Sequence, residues 1–489
     1  MLGVIMTIEI EDKFDVPSEF GLPDLSDVKG CAEVSQPLSH RLVALYFDTP
    51  DLRLAARGIT LRRRRGGDDE GWHLKLPKAK RSTRQEITVP LTRSAKIVPP
   101  ELAELVLAYT RGSALAPVAQ LETRRGVTRL LGPEGQELVE VADDRVKGTI
   151  LGDEPRVVRW REVEAELKDG DRDVLRRVGK RLLKAGATPA GASNKLARLL
   201  GDVPVRRETA LDPGSAGAVV VDYLRGHVKA LTAQDPRVRR AEEDAVHQAR
   251  VASRRLRSAF KAFKSLLGET TALQDELRWL GEVLGEARDL EVIRDRFAAR
   301  LDALDPSLVV GPVRRRLGDD LLAKEHEAYG RIREALSGER YFALLDALEE
   351  FAARPPLTDL AAAGAGKALE KIADKNWKRV GAAYKAAQAM EDPDEREIAM
   401  HDVRKAAKRA RYTAEAVGLS DLAKRAETVQ EVLGRHQDGV VAQGVLADEA
   451  EAARGAGEDT FTYGVLVGLE HAEADLAHEQ FPDVWAKVG

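Results

Sequence analysis

Along residues 6–16 the chain alternates in an unusual sense: Glu9, Glu11 and Lys13 share one side of a period-2 strand, while Ile8, Ile10 and Phe14 share the other. A surface strand with its acids in water would show the same pattern. Recurrence argues for more. Arg62 with Arg64, His73 with Lys75, Arg84 with Glu86, and Glu162 with Glu164 and Glu166 repeat the spacing, and intervening positions such as Leu61, Trp72, Leu74, Ile87 and Val163 are mostly apolar. A sheet curled with these charges inward would enclose a polar lumen and leave an apolar outside for helices to cover.

The same periodicity predicts strands over 43–49, 59–65, 72–76, 84–89, 121–131, 137–145 and 160–167, with a hairpin at Gly66-Gly67. A turn leading into a short helix is expected over 17–25, and helices over 99–109 and 173–185. In the two long strands, parity places Glu122 and Arg124, then Glu140 and Asp144, on the inner face. One bulge would exchange Arg124 for Arg125, or Asp144 for Asp143.

From Glu208 to Gly217 the periodicity is lost, and beyond it strand signals vanish. Helical patterns run from 220 to about 301, from 313 to 353 and from 366 to about 487, broken near Pro306, Pro312, Pro355-Pro356 and Pro393. The expected organisation is a strand-rich domain over 1–205, a linker over 206–217 and an all-α domain over 218–489. That last domain repeats itself. His247, Arg250, Arg254 and Arg257 sit at offsets 0, 3, 7 and 10, and His401, Arg404, Lys408 and Arg411 reproduce them, with Arg255 and Arg409 corresponding at offset 8. Leu284-Gly285 with Asp289 is echoed by Leu433-Gly434 with Asp438. Two similar helical bundles about a pseudo-twofold axis follow, over about 218–305 and 366–489. The fold class is α+β.

Composition narrows the chemistry. With 489 residues, at least two domains are expected, and the 43% hydrophobic share is ample for folded cores. Net charge is only −4 although 32% of residues are charged, so selectivity for partners must come from local clustering of sign. A single cysteine, Cys31, excludes a disulfide framework and a Cys-rich zinc site, and makes the cytoplasm the default compartment. No run of about 18 apolar residues supports a membrane span. No Ser or Cys occupies a recognisable nucleophile motif.

Offsets 0, 3, 7 and 10 fall within roughly an 80° arc of a helix, along about 15 Å of its axis. Each repeat therefore carries a basic stripe headed by a histidine, and Lys261 extends the first. Between Gln248 and Ser265 no acid interleaves, so a stripe lying in a groove needs a polyanion. The strand-rich half mixes carboxylates with cations. Carboxylates suit a hard divalent cation such as Mg²⁺ or Mn²⁺, and Arg and Lys suit phosphoryl oxygens. Both needs coincide in phosphoanhydride chemistry.

Glu9-x-Glu11-x-Lys13, Arg62-x-Arg64, Lys75 in His-Leu-Lys-Leu-Pro, Arg84-x-Glu86, the Glu162/Glu164/Glu166 ladder and Ser193-x-Lys195 together resemble the CYTH, or triphosphate tunnel metalloenzyme, family. The helical half, with its His-x-x-Arg stripes, resembles a CHAD domain. The resemblance implies an antiparallel β-tunnel of about eight strands with flanking helices, processing triphosphates with Mg²⁺ or Mn²⁺. It implies metal ligation by Glu9, Glu11, Glu164 and Glu166, with Asp144 beside them. Glu9, Glu11, Lys13 and Glu162 form the implied catalytic set. Lys13, Arg62, Arg64, Lys75, Arg84, Arg124 and Lys195 would grip the phosphates. For the CHAD part it implies polyphosphate binding by His247, Arg250, Arg254, Arg255, Arg257 and Lys261, and by His401, Arg404, Lys405, Lys408, Arg409 and Arg411. The expected activity is hydrolysis of inorganic triphosphate, with inorganic polyphosphate as partner of the helical half. A polyphosphate-binding protein without turnover is the alternative, as is a tunnel acting on thiamine triphosphate, a nucleotide or an RNA 5′-triphosphate. Nothing in the sequence reads a base, so nucleic acid is not expected.

Overall fold

The computed structural model describes residues 5–77, 83–152, 154–203 and 206–489, with the side chains of 5–9, 83 and 84 outside the described set. The chain divides into two compact units, Met1–Arg206 and Arg207–Gly489.

The first unit holds one sheet of ten strands: β1 (Ile5–Asp15), β2 (Glu33–Val34), β3 (Leu38–Asp48), β4 (Thr60–Arg65), β5 (Gly71–Pro77), β6 (Thr83–Val89), β7 (Ala116–Leu131), β8 (Glu137–Ile150), β9 (Arg156–Leu167) and β10 (Thr188–Pro189). Hydrogen bonds run in the order β1-β6-β5-β4-β3-β7-β8-β9, and β9 returns to β1. Eight antiparallel strands thus close on themselves, while β2 and β10 are two-residue additions. Closure depends on β1, whose first half pairs with β6 and whose second half, from Glu11, pairs with β9. A closed sheet has no open edge, and its strands acquire an inside and an outside.

Two stretches of the outside are apolar and covered. Val139, Val141, Val163 and Ala165 pack beneath the helix Arg172–Lys184 through Val174, Val178 and Leu182. Leu61, Trp72, Leu74 and Ile87 pack beneath Leu102, Leu105 and Val106 of the short helical turns that follow Pro99. The inside is not polar throughout. At one end Ala44, Tyr46, Leu121 and Val146 meet Leu196 and Leu199 of the helix Lys195–Leu200, an apolar plug. Segment 17–25 forms turns and no helix. Its apolar residues, Phe20, Leu22 and Leu25, instead join the cluster on the outside of the sheet.

The second unit is helical throughout its regular structure. Ser215 caps the helix Ala216–Arg239 by accepting from the Ala218 N–H at 3.1 Å. The next break falls at Ala241 and Asp244, both at positive φ, while Pro236 is carried inside the helix. The stripe residues ride on two helices, Ala245–Ala262 and Pro393–Ala416, which pack against one another. Behind the second lie Val403, Ala407 and Ala410, in a cluster with Val380 and Val429 of its neighbours. No helix among the described residues is long and apolar enough to cross a membrane.

The hairpin at Gly66-Gly67 is sterically fixed. Gly66 has φ of 82°, and a Cβ there would lie 2.2 Å from the Arg41 carbonyl oxygen. Gly66→Ala is expected to lower stability by about 1–3 kcal/mol. Thermal unfolding checks this, and an unchanged midpoint would contradict it.

Candidate functional site

The inner face gathers most of its acids on one wall, paired there with Lys13, Arg125 and Lys195, while Arg62, Arg64 and Lys75 gather on another around Glu86. Glu11 and Lys13 arrive on β1, Arg62 and Arg64 on β4, Lys75 on β5, Arg125 on β7, and Glu164 and Glu166 on β9, all around one cavity that Lys195 enters from its helix. The open space left is only about 80 Å³, room for a handful of waters. The side chains have closed on each other.

Lys195 is the hub of the acidic wall. Its Nζ lies 3.0 Å from Asp144, 2.7 Å from Glu162 and 2.7 Å from Glu164. Lys13 pairs with Glu11 at 2.7 Å and also with Glu164, and Arg125 grips Asp144 at 2.6 Å and Glu164 at 2.8 Å. Burial alone would raise these carboxyls. Lys13, Lys195 and Arg125 outweigh it for Glu164, which is held well below the usual carboxylate range, and Lys195 with Arg125 outweighs it for Asp144, which is lowered. Glu11 is lowered because Lys13 overcomes its burial. Burial opposes the charge on Lys195, but Glu164, Asp144 and Glu162 keep it firmly protonated.

On the cationic wall, burial followed by repulsion from Arg62 and Arg125 pushes Arg64 down to about 9, so it stays charged at neutral pH. Its Nε is buried with no acceptor among the described residues. Glu86 balances this wall, with His73 Nδ1 at 2.8 Å and Lys75 Nζ at 3.5 Å. Burial brings His73 down to about 4, so it is neutral near pH 7.

One expected residue is replaced. Arg124 and Glu122 lie on the outer face, and Arg125 takes the inner position opposite Asp144. The parity argument assumed that apolar positions face outward, whereas Leu121 lines the plugged end of the lumen and sets the opposite phase. Asp144 is fully buried at the acidic wall, and Asp143 is paired outside with Arg161 at 2.7 Å. Glu166 borders the cavity and pairs with Lys168 at 2.7 Å. Glu9 and Arg84 are paired backbone positions of β1 and β6, and their side chains lie outside the described residues. The sequence left Arg125 as the alternative to Arg124, and set His73 and Glu86 on the charged face without assigning them a role. The cross-strand pairs Arg125 with Asp144 and Lys75 with Glu86 were the available signal.

Asp144, Glu162 and Glu164 present oxygens all within 4.8 Å of one another. Three hard donors so placed fit a small divalent cation. Lys195 sets its positive charge among the same three carboxylates.

In the helical unit the two stripes converge. Burial, followed by Arg254, Arg404, Arg250 and Arg257, pushes Lys408 down to about 7, which brings cations of both repeats to one place. Arg254 Nε donates to the Tyr412 hydroxyl at 2.9 Å and lies over its ring. Lys261 is depressed by Arg409, with burial adding to it. His401 bonds Gln437 at 2.8 Å, and Lys405 pairs with exposed Asp402 at 3.2 Å. His247 is lowered by burial and Arg288. Arg255 and Arg411 differ from the others: both meet Glu415, at 2.9 and 2.8 Å, and Arg411 also meets Glu427. These two are neutralised within the fold. Arg250 has a 3.3 Å contact to exposed Asp289, and Asp438 is drawn toward Arg404 without a direct bond among the described residues.

Residues 7–199 match the CYTH domain family and residues 222–447 the CHAD domain family. Over 505 aligned positions the chain is 41% identical to an uncharacterized protein of Mycobacterium tuberculosis, covering 98% of this chain and 96% of that one. The chain belongs to the CYTH–CHAD family. Among solved structures, PptA from Streptomyces chartreusis aligns with 56% of this CYTH–CHAD chain and 99% of its own, at 23% identity and a TM-score of 0.47. The CHAD domain from the plant Ricinus communis aligns with 59% of the chain and 97% of its own, at 26% identity and a TM-score of 0.47.

Because Glu164 holds three buried cations, Glu164→Gln is expected to cost about 3–5 kcal/mol. Glu166→Gln, which loosens only a half-exposed pair, should cost less than about 1 kcal/mol. Urea unfolding of the two variants measures the difference, and equal losses would show that the acidic wall is not one network. The depressed carboxyls add stability that is present above about pH 4 and lost as pH falls further, through their folded-state values.

Proposed function

We propose that the CYTH tunnel hydrolyses inorganic triphosphate with Mg²⁺ or Mn²⁺, and that the CHAD stripes hold longer inorganic polyphosphate. The observation that carries this reading is the separation of walls: Asp144, Glu162 and Glu164 on one side, and Arg62, Arg64 and Lys75 on the other, across a cavity filled by its own ion pairs.

A metal held by Asp144, Glu162 and Glu164, with Glu11 beside them, would polarise phosphoryl oxygen and offset the charge of the triphosphate. The chain's own residues do the rest by exchange. Lys195, Lys13 and Arg125 swing from carboxylates to phosphoryl oxygens, so each buried cation trades one anionic partner for another and no charge is left uncompensated. Arg62, Arg64 and Lys75 already face the cavity, and the orphaned Nε of Arg64 gains an acceptor. Glu11, released by Lys13, orients the attacking water, while the cationic wall stabilises charge on the departing phosphate. Among the described residues around the cavity Tyr46 is the one aromatic, and no side-chain set among them reads a base, which favours a bare triphosphate over a nucleotide. We place the activity in the cytoplasm, in keeping with a chain that has one cysteine.

Phosphate release should be fastest with tripolyphosphate, slower with ATP, and dependent on Mg²⁺ or Mn²⁺. Glu11→Gln should reduce it at least about a hundredfold with the fold intact by circular dichroism. Full activity in that variant, or no release from tripolyphosphate with either metal, would reject the tunnel assignment.

Lys408 gives the CHAD stripes a pH signature. Its value near 7 must rise when a polyanion binds, so binding takes up a proton. Affinity for long-chain polyphosphate should therefore climb as pH falls from about 9 to about 7 through Lys408. His247, itself lowered, adds its own uptake at lower pH. Lys408→Arg, charged throughout, should flatten the profile, and an unchanged slope would contradict the assignment.

A further inference from the structure

The outer wall formed by β3, β7, β8 and β9 carries a feature that neither the tunnel nor the stripes explain. Arg41, Arg124, Arg145 and Arg161 are successive cross-strand partners, one on each strand. Like charges placed directly opposite destabilise a sheet, and β-branched residues would serve these positions better. Arg161 is buried and answered by Asp143 at 2.7 Å. Arg41, Arg124 and Arg145 are exposed, and none makes a hydrogen bond or ion pair among the described residues. In the adjacent row Lys147 pairs with Glu122 at 3.1 Å, and Arg159 is again exposed and without an ion pair among the described residues.

These side chains surround a concave groove of about 600 Å³, edged by Val16 and Ser18. Six of its lining residues are basic and one, Glu122, is acidic. Neighbouring strands lie about 4.8 Å apart, so the three exposed arginines, with Glu122 the one acid near Arg41, set planar forks at short, regular intervals. Each fork is suited to two oxygens of one phosphoryl group. We propose that this groove is a second polyphosphate-binding site, on the outside of the tunnel wall and separate from the lumen. A chain of phosphoryl groups joined by single oxygens is dense enough in charge to offer a phosphoryl group to every fork. Single-stranded nucleic acid would need stacking surfaces, and the one aromatic residue at the groove, Trp160, is turned away, its Nε1 on Glu162 and its ring beneath Arg198. A concave wall also does not present itself to a flat bilayer. The site would keep a long chain close to the tunnel and raise the local concentration of its ends. That benefit rests on the proposed function, but the binding itself does not.

The test uses the full chain with Arg250, Arg254 and Arg404 changed to Ser, so that the helical stripes do not mask the groove, and with metal omitted. Long-chain polyphosphate should still bind this protein. Adding Arg41→Thr, Arg124→Thr and Arg145→Thr should weaken binding about tenfold or more, and reduce the slope of log affinity against log salt by roughly 2. Unchanged affinity would overturn the proposal. So would single-stranded DNA binding as tightly as polyphosphate and losing affinity in step, which would make the groove a nucleic-acid surface. Arg124→Thr alone should raise the melting temperature by about 1–2 °C by relieving repulsion, whereas a lower one would mean that the row is structural. Phosphate release from tripolyphosphate is read on the unaltered chain, so an inactive tunnel and an absent groove site give different results.

Discussion

The tunnel domain depends on one interaction above the rest: the ammonium of Lys195 seated among Asp144, Glu162 and Glu164. Each of these groups is buried and would be costly alone. Together they are tolerable, and the cost explains several features of the fold. β1 must change partners midway to close the sheet, since an open lumen would let water take over the pairing. The helix Lys195–Leu200 must be anchored by Leu196 and Leu199 in the apolar plug, because its first residue delivers the ammonium. Asn194 fixes that first turn by accepting from the Ala197 N–H at 2.8 Å.

The three basic regions are balanced in different ways. In the lumen nearly every cation has a carboxylate, so a ligand enters by exchange. In the helical unit two rows of cations from opposite repeats meet with little acid between them, and burial together with that repulsion depresses Lys408. On the outer wall the arginines stand in water, where their repulsion is screened and cheap. Burial therefore sets how each region can respond to phosphate: by trading partners, by taking up a proton, or by simple attraction.

Much of the site was legible in the sequence because a strand's period of two survives inside a closed sheet. Glu11 with Lys13, Arg62 with Arg64, and Glu164 with Glu166 emerged at that spacing and converge on one cavity, with Glu162 bound to Lys195 beside them. Where the reading slipped, the sheet had an apolar inner end. Leu121 faces inward there, and treating it as outside moved the phase of β7 by one residue, exchanging Arg125 for Arg124. The prolines read as breaks, Pro306, Pro312, Pro355-Pro356 and Pro393, do bound helices. Pro236 and Pro482 are carried inside helices, and the break before the first stripe comes at Ala241 and Asp244, which no proline marks. The meeting of Arg254 and Arg255 with Tyr412, and of Arg255 with Glu415, is a long-range event between repeats that spacing along one helix does not contain.

If Lys195 holds the place of a metal, then metal and triphosphate must assist one another, since each provides what the other displaces. Calorimetric titration of Mn²⁺ into the protein, with and without a non-hydrolysable triphosphate analogue, tests this most directly. Weak Mn²⁺ binding alone and at least about tenfold tighter binding with the analogue is the expected result. Equal Mn²⁺ affinity in both titrations would contradict the account.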